Sequence, residues 1–200
     1  TIKGFNELMA INNKDENLNK FTGRISKETD RLLFLIGDML KLSELENVKN
    51  ISLEDVDLRK ISEEIKESLS TLSSEKNISL DIDGKGTVKA EQNHIYELLK
   101  NLLENAVKYN VENGKVKVCL KEEKNTVSIT VIDTGIGIPA KDQPRIFERF
   151  YRVEKSRSRE SGGTGLGLSI VKHICKIYNA ELVLKSKVGE GTEIKVIFKK

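Results

Sequence analysis

Apolar positions recur along the chain at two different spacings, and the change of spacing divides it. Leu18, Phe21, Ile25, Leu32, Leu35, Met39 and Leu42 advance by threes and fours, with only Glu28 off the pattern. That is the seam of a helix in a coiled coil or bundle. Leu33, Ile36 and Leu40 widen the stripe, as a four-helix bundle requires. The spacing predicts one long helix over 16–46. Ile2, Phe5, Leu8 and Met9 predict the end of an amphipathic helix over 1–12, which Asn12-Asn13-Lys14-Asp15 breaks. Two helices cannot bury so broad a face. Residues 1–46 are therefore expected to form an antiparallel hairpin, half of a four-helix bundle completed in a homodimer.

Residues 47–57 carry no strong period and read as a linker into a second domain over 58–200. Helical spacing resumes at Leu58, Ile61, Ile65, Leu69 and Leu72. Alternation then predicts strands at 78–82, 87–90, 116–121, 127–132, 182–185 and 194–198. Helices are expected over 91–111 and from about residue 164, where Leu166, Ile170, Val171, Ile174 and Ile177 share a face. This order of elements predicts an α+β fold in which the second domain is an α/β sandwich, a mixed sheet with helices on one face.

Composition narrows the class. At 38% hydrophobic and 32% charged the chain is foldable and not disordered. Its net charge of +3 comes from 34 basic and 31 acidic residues, too balanced to argue for nucleic acid, and no basic run carries interleaved aromatics. Cys119 and Cys175 stand alone, without a metal-binding spacing, and read as reduced thiols of a cytoplasmic protein. The longest clean apolar run, residues 32–36, is far too short to span a membrane. Thr1 is not a natural start, so the chain is expected to be a fragment without membrane contact of its own.

The chemistry concentrates in glycine clusters and one helix. Asp133-Thr134-Gly135-Ile136-Gly137-Ile138-Pro139 follows a strand, and Gly162-Gly163-Thr164-Gly165-Leu166-Gly167-Leu168 opens a helix. Glycine lets the backbone take positive φ and approach a ligand closely, and free N–H groups at a helix start suit phosphate. A long charged segment between the clusters suggests a nucleotide pocket with a lid. On helix 91–111, Asn101, Asn105 and Lys108 recur at i, i+4 and i+7 and share one face. Asparagine is a poor helix former. Two of them a turn apart fit a site, because an amide oxygen suits Mg2+ and a lysine a turn further can meet a phosphate. Tyr109 can offer a flat face to a base.

These motifs resemble those of sensor histidine kinases. Asn101, Asn105, Lys108 and Tyr109 resemble the N box, and the run from Asp133 to Pro139 resembles the first glycine box. Phe147-Glu148-Arg149-Phe150-Tyr151-Arg152 resembles the F box, and Gly163 to Leu168 the second glycine box. Gly189-Glu190-Gly191-Thr192 resembles the short glycine turn near the domain end, and residues 1–46 resemble the dimerisation and phosphotransfer hairpin. Within the family the run 147–174 is most similar to the phosphate-regulon type.

The resemblance implies the Bergerat ATP-binding fold, with ATP and Mg2+ as cofactors and a response-regulator receiver domain as partner. It implies that Asp133 accepts from the adenine amine. Asn105 coordinates Mg2+, with Asn101 beside it. Lys108 with Arg149 or Arg152 faces the phosphates, and Tyr109 packs on the nucleotide. Gly135, Gly137, Ile138, Gly163, Thr164, Gly165, Leu166, Gly167, Leu168 and Thr192 complete the nucleotide site, and Phe147 and Phe150 anchor the lid by burial. The family's acceptor motif is absent. His94 and His173 read as packing or surface residues, and the acceptor is expected just upstream of Thr1, in a parent protein anchored in a membrane. Two other readings stay open: an ATP-binding dimeric scaffold, and a Bergerat-fold ATPase or serine kinase. The hairpin weighs against the second.

Overall fold

The computed structural model describes residues 1–12, 15–47, 51–153 and 163–200. The expected hairpin is present, as α1 (Ile2–Asn12) and α2 (Glu16–Glu46). Asp15 starts α2 by accepting from the Asn17 amide at 2.8 Å, the ordinary N-cap interaction. The helices run antiparallel: Lys3 pairs with Asp30 at 2.7 Å, and the Asn6 side chain donates to the Thr22 carbonyl at 2.7 Å. The seam residues Leu18, Phe21, Ile25, Leu32 and Met39 of α2 are all exposed, an apolar face that the single chain leaves uncovered. One seam position departs from the pattern. Leu42 is buried with Leu45 in the second domain's core, because the last two turns of α2 pack on that domain.

The linker reading of 47–57 is corrected at its end. Glu54–Asp57 form strand β1, antiparallel to β3 (Thr87–Ala90), with Val56 opposite Val88. Both valines are buried, so two apolar partners far apart in sequence make a strand that no local period announces. Asp57 then caps α3 (Leu58–Ser68), accepting from the Arg59 and Lys60 amides. The single helix expected over 58–72 is split at Leu69 into α3 and a short α4 (Ser70–Glu75). Serine hydroxyls there bond back to the backbone, Ser68 to Ile65 and Ser73 to Ser70, the competition that shortens serine-rich helices.

Strands β2 (Ser79–Gly84), β4 (Lys115–Glu122), β5 (Thr126–Asp133), β6 (Glu181–Lys187) and β7 (Gly191–Lys199) form a five-stranded sheet in the order β2-β4-β5-β7-β6. The β2–β4 pair is parallel and the others antiparallel, so the sheet is mixed, as expected. Strand residues of one parity face the helices. Val118 lies opposite Val131 and Leu120 opposite Ile129, and Ile129 lies opposite Val196; all are buried. Helices α5 (Gln92–Lys108) and α6 (Gly167–Ile177) lie across that face. Ile95, Leu98, Leu99, Leu102, Leu103, Ala106 and Val107 of α5 form a continuous buried stripe, the width a core helix needs. The polar residues of α5 are thereby left at its edge and at its C-terminal end.

Candidate nucleotide-binding site

The C-terminal end of α5 meets the turn after β5. The Ile136 amide donates to the Tyr109 carbonyl at 3.1 Å. A β-carbon at Gly135 would sit 2.4 Å from that same oxygen, so only glycine allows the approach. The N-box helix and the first glycine box therefore share one end of the domain. Asn110, just past the helix, ties the turn down: its side-chain oxygen accepts from the Val111 amide and the Thr134 hydroxyl, and its nitrogen donates to the Lys115 carbonyl.

Asp133 ends β5 half-buried. Its Oδ1 accepts from the Gly135 amide at 2.8 Å and from the Thr192 amide at 3.2 Å. Among the described residues nothing donates to Oδ2. Burial raises its pKa above the ordinary aspartate value, against the two amide hydrogen bonds. A carboxylate held by one oxygen in a desolvated place leaves the other as an acceptor in a low-dielectric wall, where a hydrogen bond is stronger than in water. Ser186 supports this corner. It accepts from the Ile138 amide at 2.8 Å, donates to the Gly191 carbonyl at 2.9 Å and lies 2.9 Å from the Thr192 hydroxyl.

Lys108 and Tyr109 reach the second glycine box. A β-carbon at Gly163 would lie 3.1 Å from the Lys108 ammonium nitrogen, 3.3 Å from the Tyr109 hydroxyl and 3.8 Å from an Arg152 nitrogen. Burial lowers the Lys108 pKa, and the Arg152 charge lowers it further. Two cations held close at partial desolvation are an arrangement that an anion relieves. Leu166, at the N-cap of α6, makes no side-chain cap. Its own amide donates to the Thr164 hydroxyl at 3.2 Å. The start of α6 thus presents backbone donors and its dipole beside Lys108.

Asn101 and Asn105 differ in their surroundings. The Asn101 nitrogen donates to the Glu97 carbonyl at 2.8 Å, and its oxygen lies against Gly167. Asn105 is half-buried, and among the described residues its amide has no hydrogen-bond partner. Glu104 beside it has its carboxyl pKa raised, by burial above all.

One expectation about the F box does not hold in this arrangement. Phe150 is 53% exposed, and the buried residue nearby is Ile146. Phe147 is half-buried. Phe150 anchors through its backbone: at φ 61° its amide donates to the Gly165 carbonyl at 2.9 Å, which turns the ring outward. Arg149 does not face the phosphate end. It pairs with Glu46 at the end of α2, and only Arg152 joins Lys108. Gly162 and the rest of 154–162, part of the expected lid, lie outside the described residues. Asn110 and Ser186 were not singled out in the sequence, because each acts on a neighbour brought in by the sheet register and not by spacing.

A mixed sheet covered by helices on one face, with a carboxylate, an amide-bearing helix and glycine turns gathered at one end, defines an ATP-binding ATPase domain. Residues 90–200 match the family described as histidine kinase-, DNA gyrase B-, and HSP90-like ATPase, and the chain belongs to that family. Over 176 residues, 86% of this chain, it is 37% identical to the signal transduction histidine-protein kinase ArlS of Staphylococcus aureus strain USA300. It spans only 39% of that relative's length. Full-length ShkA in complex with AMPPNP is 25% identical and superposes with a TM-score of 0.77, covering 98% of this chain and 42% of that one. The histidine kinase ThkA in complex with the response regulator TrrA shares the fold, with a TM-score of 0.74 at 23% identity, over the whole of this chain and 56% of its own. These findings bear out the sensor-kinase resemblance; they do not bear on the phosphate-regulon type. Among the described residues no helix is long and apolar enough to cross a membrane.

Proposed function

We propose that this chain is the helical hairpin and ATP-binding catalytic domain of a sensor histidine kinase. In this reading ATP binds with its adenine at Asp133 and its phosphates at the start of α6. The observation that carries it is the half-satisfied Asp133 carboxylate at one end of a corner whose other end holds Lys108, Arg152 and an uncapped helix. Asp133 Oδ2 accepts from the adenine exocyclic amine, and an acceptor-only carboxylate there disfavours guanine. Lys108, Arg152 and the α6 amides neutralise and orient the triphosphate, and Tyr109 covers the nucleotide. Arg149 joins them once released from Glu46. The Asn105 amide, without a hydrogen-bond partner among the described residues, fits a Mg2+ ligand, with Asn101 beside it; the ion would supply neutralisation of phosphate charge there.

The reaction is phosphoryl transfer. An imidazole nitrogen of the parent protein attacks the γ-phosphorus in line and ADP leaves with the bridging oxygen. The histidine keeps the phosphoryl group until a receiver-domain aspartate of a response regulator takes it. Positioning and charge neutralisation do most of the work. The exposed seam of α1 and α2 pairs with a second copy, and the parent protein is anchored in a membrane. Calorimetric titration with ATP and Mg2+, followed by radiolabel transfer in the full-length parent, tests this. The expected result is micromolar to millimolar binding and an acid-labile phosphohistidine. Binding without phosphohistidine would point to a scaffold, and sustained phosphate release without a receiver to an ATPase.

A further inference from the structure

The catalytic domain rests on one face of α2 through residues 38, 41, 42, 45 and 46, at helical spacing i, i+3, i+4, i+7 and i+8. Leu42 and Leu45 are buried there. Lys41 pairs with Glu97 at 2.5 Å, and the His173 ring lies 3.2 Å from the Leu45 carbonyl. The two remaining contacts differ in kind. The Thr164 hydroxyl donates to Asp38 Oδ2 at 2.6 Å, and Arg149 is paired with Glu46. Both donors belong to stretches assigned above to the nucleotide: Thr164 to the turn that opens α6, Arg149 to the F box. Each is held by a carboxylate, which like a phosphate offers negative charge and acceptor oxygens.

We propose that Asp38 and Glu46 act as phosphate mimics, so that docking on α2 and ATP binding oppose each other and each nucleotide bound releases the domain from the helix. The physical basis is competition for donors plus repulsion. Thr164 has one hydroxyl proton, and Asp38 takes it. The same hydroxyl accepts from the Leu166 amide, so this turn is closed in the docked state. A triphosphate arriving at the start of α6 would meet the Asp38 charge across a few ångströms. Repulsion between partly desolvated charges at that range outweighs what a single partly buried hydrogen bond contributes. Release also frees Arg149. Linkage then requires that whatever weakens docking tightens ATP, by the factor through which ATP weakens docking.

The inference rests on the nucleotide reading above, and its test keeps the two apart. ATP affinity is measured with Mg2+ present for the wild type, Asp38→Asn, Glu46→Gln, the double variant, Lys41→Ala, Asp30→Asn and Asp133→Asn. Asp38→Asn and Glu46→Gln should each tighten ATP by roughly threefold to tenfold, the size of a modest coupling. Lys41→Ala removes a docking contact but no phosphate mimic, and it should tighten ATP as well. Asp30→Asn, remote on the same helix, should leave affinity unchanged. In the wild type, saturating ATP should raise hydroxyl-radical labelling of Leu42 and Leu45. Unchanged or weaker affinity in the Asp38 and Glu46 variants, with Asp133→Asn still abolishing binding, would overturn the mimicry and leave the nucleotide site standing. Protection of Leu42 and Leu45 that ATP does not alter would overturn it too. No ATP binding by any of these proteins would sink both.

Discussion

The side-chain oxygen of Asn101 lies against the first residue of α6, where a β-carbon at Gly167 would come within 2.5 Å of it. Asn101 cannot simply swing away, because its nitrogen is held on the Glu97 carbonyl. The two site helices are therefore spaced by an amide on one and the absence of a side chain on the other. Gly167→Ala should cost about 1–3 kcal/mol in urea unfolding, the usual range for overpacking. Combining it with Asn101→Ala should recover part of that loss. Strict additivity of the two changes would show that they do not meet.

Asp133→Asn separates binding from folding. Asparagine keeps the acceptor that holds the Gly135 and Thr192 amides, but an amide cannot replace the carboxylate in the adenine contact proposed for it. Burial raises the Asp133 pKa. A carboxyl with a raised folded pKa contributes stability that is present below the ordinary value of 3.8 and lost as pH rises through the folded value. The variant should therefore be at least as stable as the wild type at pH 7, with the difference shrinking toward acid, while ATP affinity falls at least tenfold. A variant that binds ATP normally would refute the adenine assignment.

Two glycines with similar backbones should behave differently. Gly137 has φ 68° and a β-carbon there would sit 2.0 Å from the Lys187 carbonyl oxygen. Gly189 has φ 78° and nothing within 4 Å. Gly189→Ala should cost about 1–2 kcal/mol, the strain of a left-handed alanine. Gly137→Ala adds a backbone clash and should cost several times more, enough to open the first glycine box. Thermal unfolding of the two variants side by side decides the point.

His94 predicts a pH dependence. Its Nδ1 lies 2.7 Å from the Tyr178 hydroxyl, and Tyr178 packs edge-on against Phe198. Glu91 stands 3.8 Å away and favours the charged ring, but burial is the larger effect and lowers the pKa from the ordinary 6.5. A depressed folded pKa gives stability that is full above 6.5 and lost as pH falls through the folded value. The melting temperature should drop as pH falls below 6.5, and His94→Gln should flatten that slope. An unchanged slope would assign the acid sensitivity elsewhere.

Phe21→Glu should dissociate the dimer proposed for the hairpin. Phe21 is 59% exposed in the single chain, so a charge there costs the isolated fold little. At a paired seam it would be desolvated against its own copy. Sedimentation equilibrium should shift from dimer toward monomer, with the melting of residues 58–200 unchanged. A variant that stays dimeric would place the interface on another face.

The amino-acid sequence alone determined the features that repeat or that carry their own chemistry. The hairpin seam, the buried stripe of α5, the alternating strands and the glycine turns are legible because period and backbone freedom are local properties. The gathering of Asp133, Lys108, Tyr109 and Gly163 was legible from motif order. Only the tertiary structure decided what depends on a distant partner. Residues 54–57 are a strand because Val88 is there to pair with Val56. Leu42 leaves the seam because the catalytic domain covers it. Phe150 turns outward because its amide, not its ring, closes on Gly165. Arg149 and Arg152 look equivalent in the chain and part company in space: one pairs with Glu46, while the other lies beside Lys108 near Gly163. Charge and period are written residue by residue, but the neighbour that satisfies them is chosen by the fold.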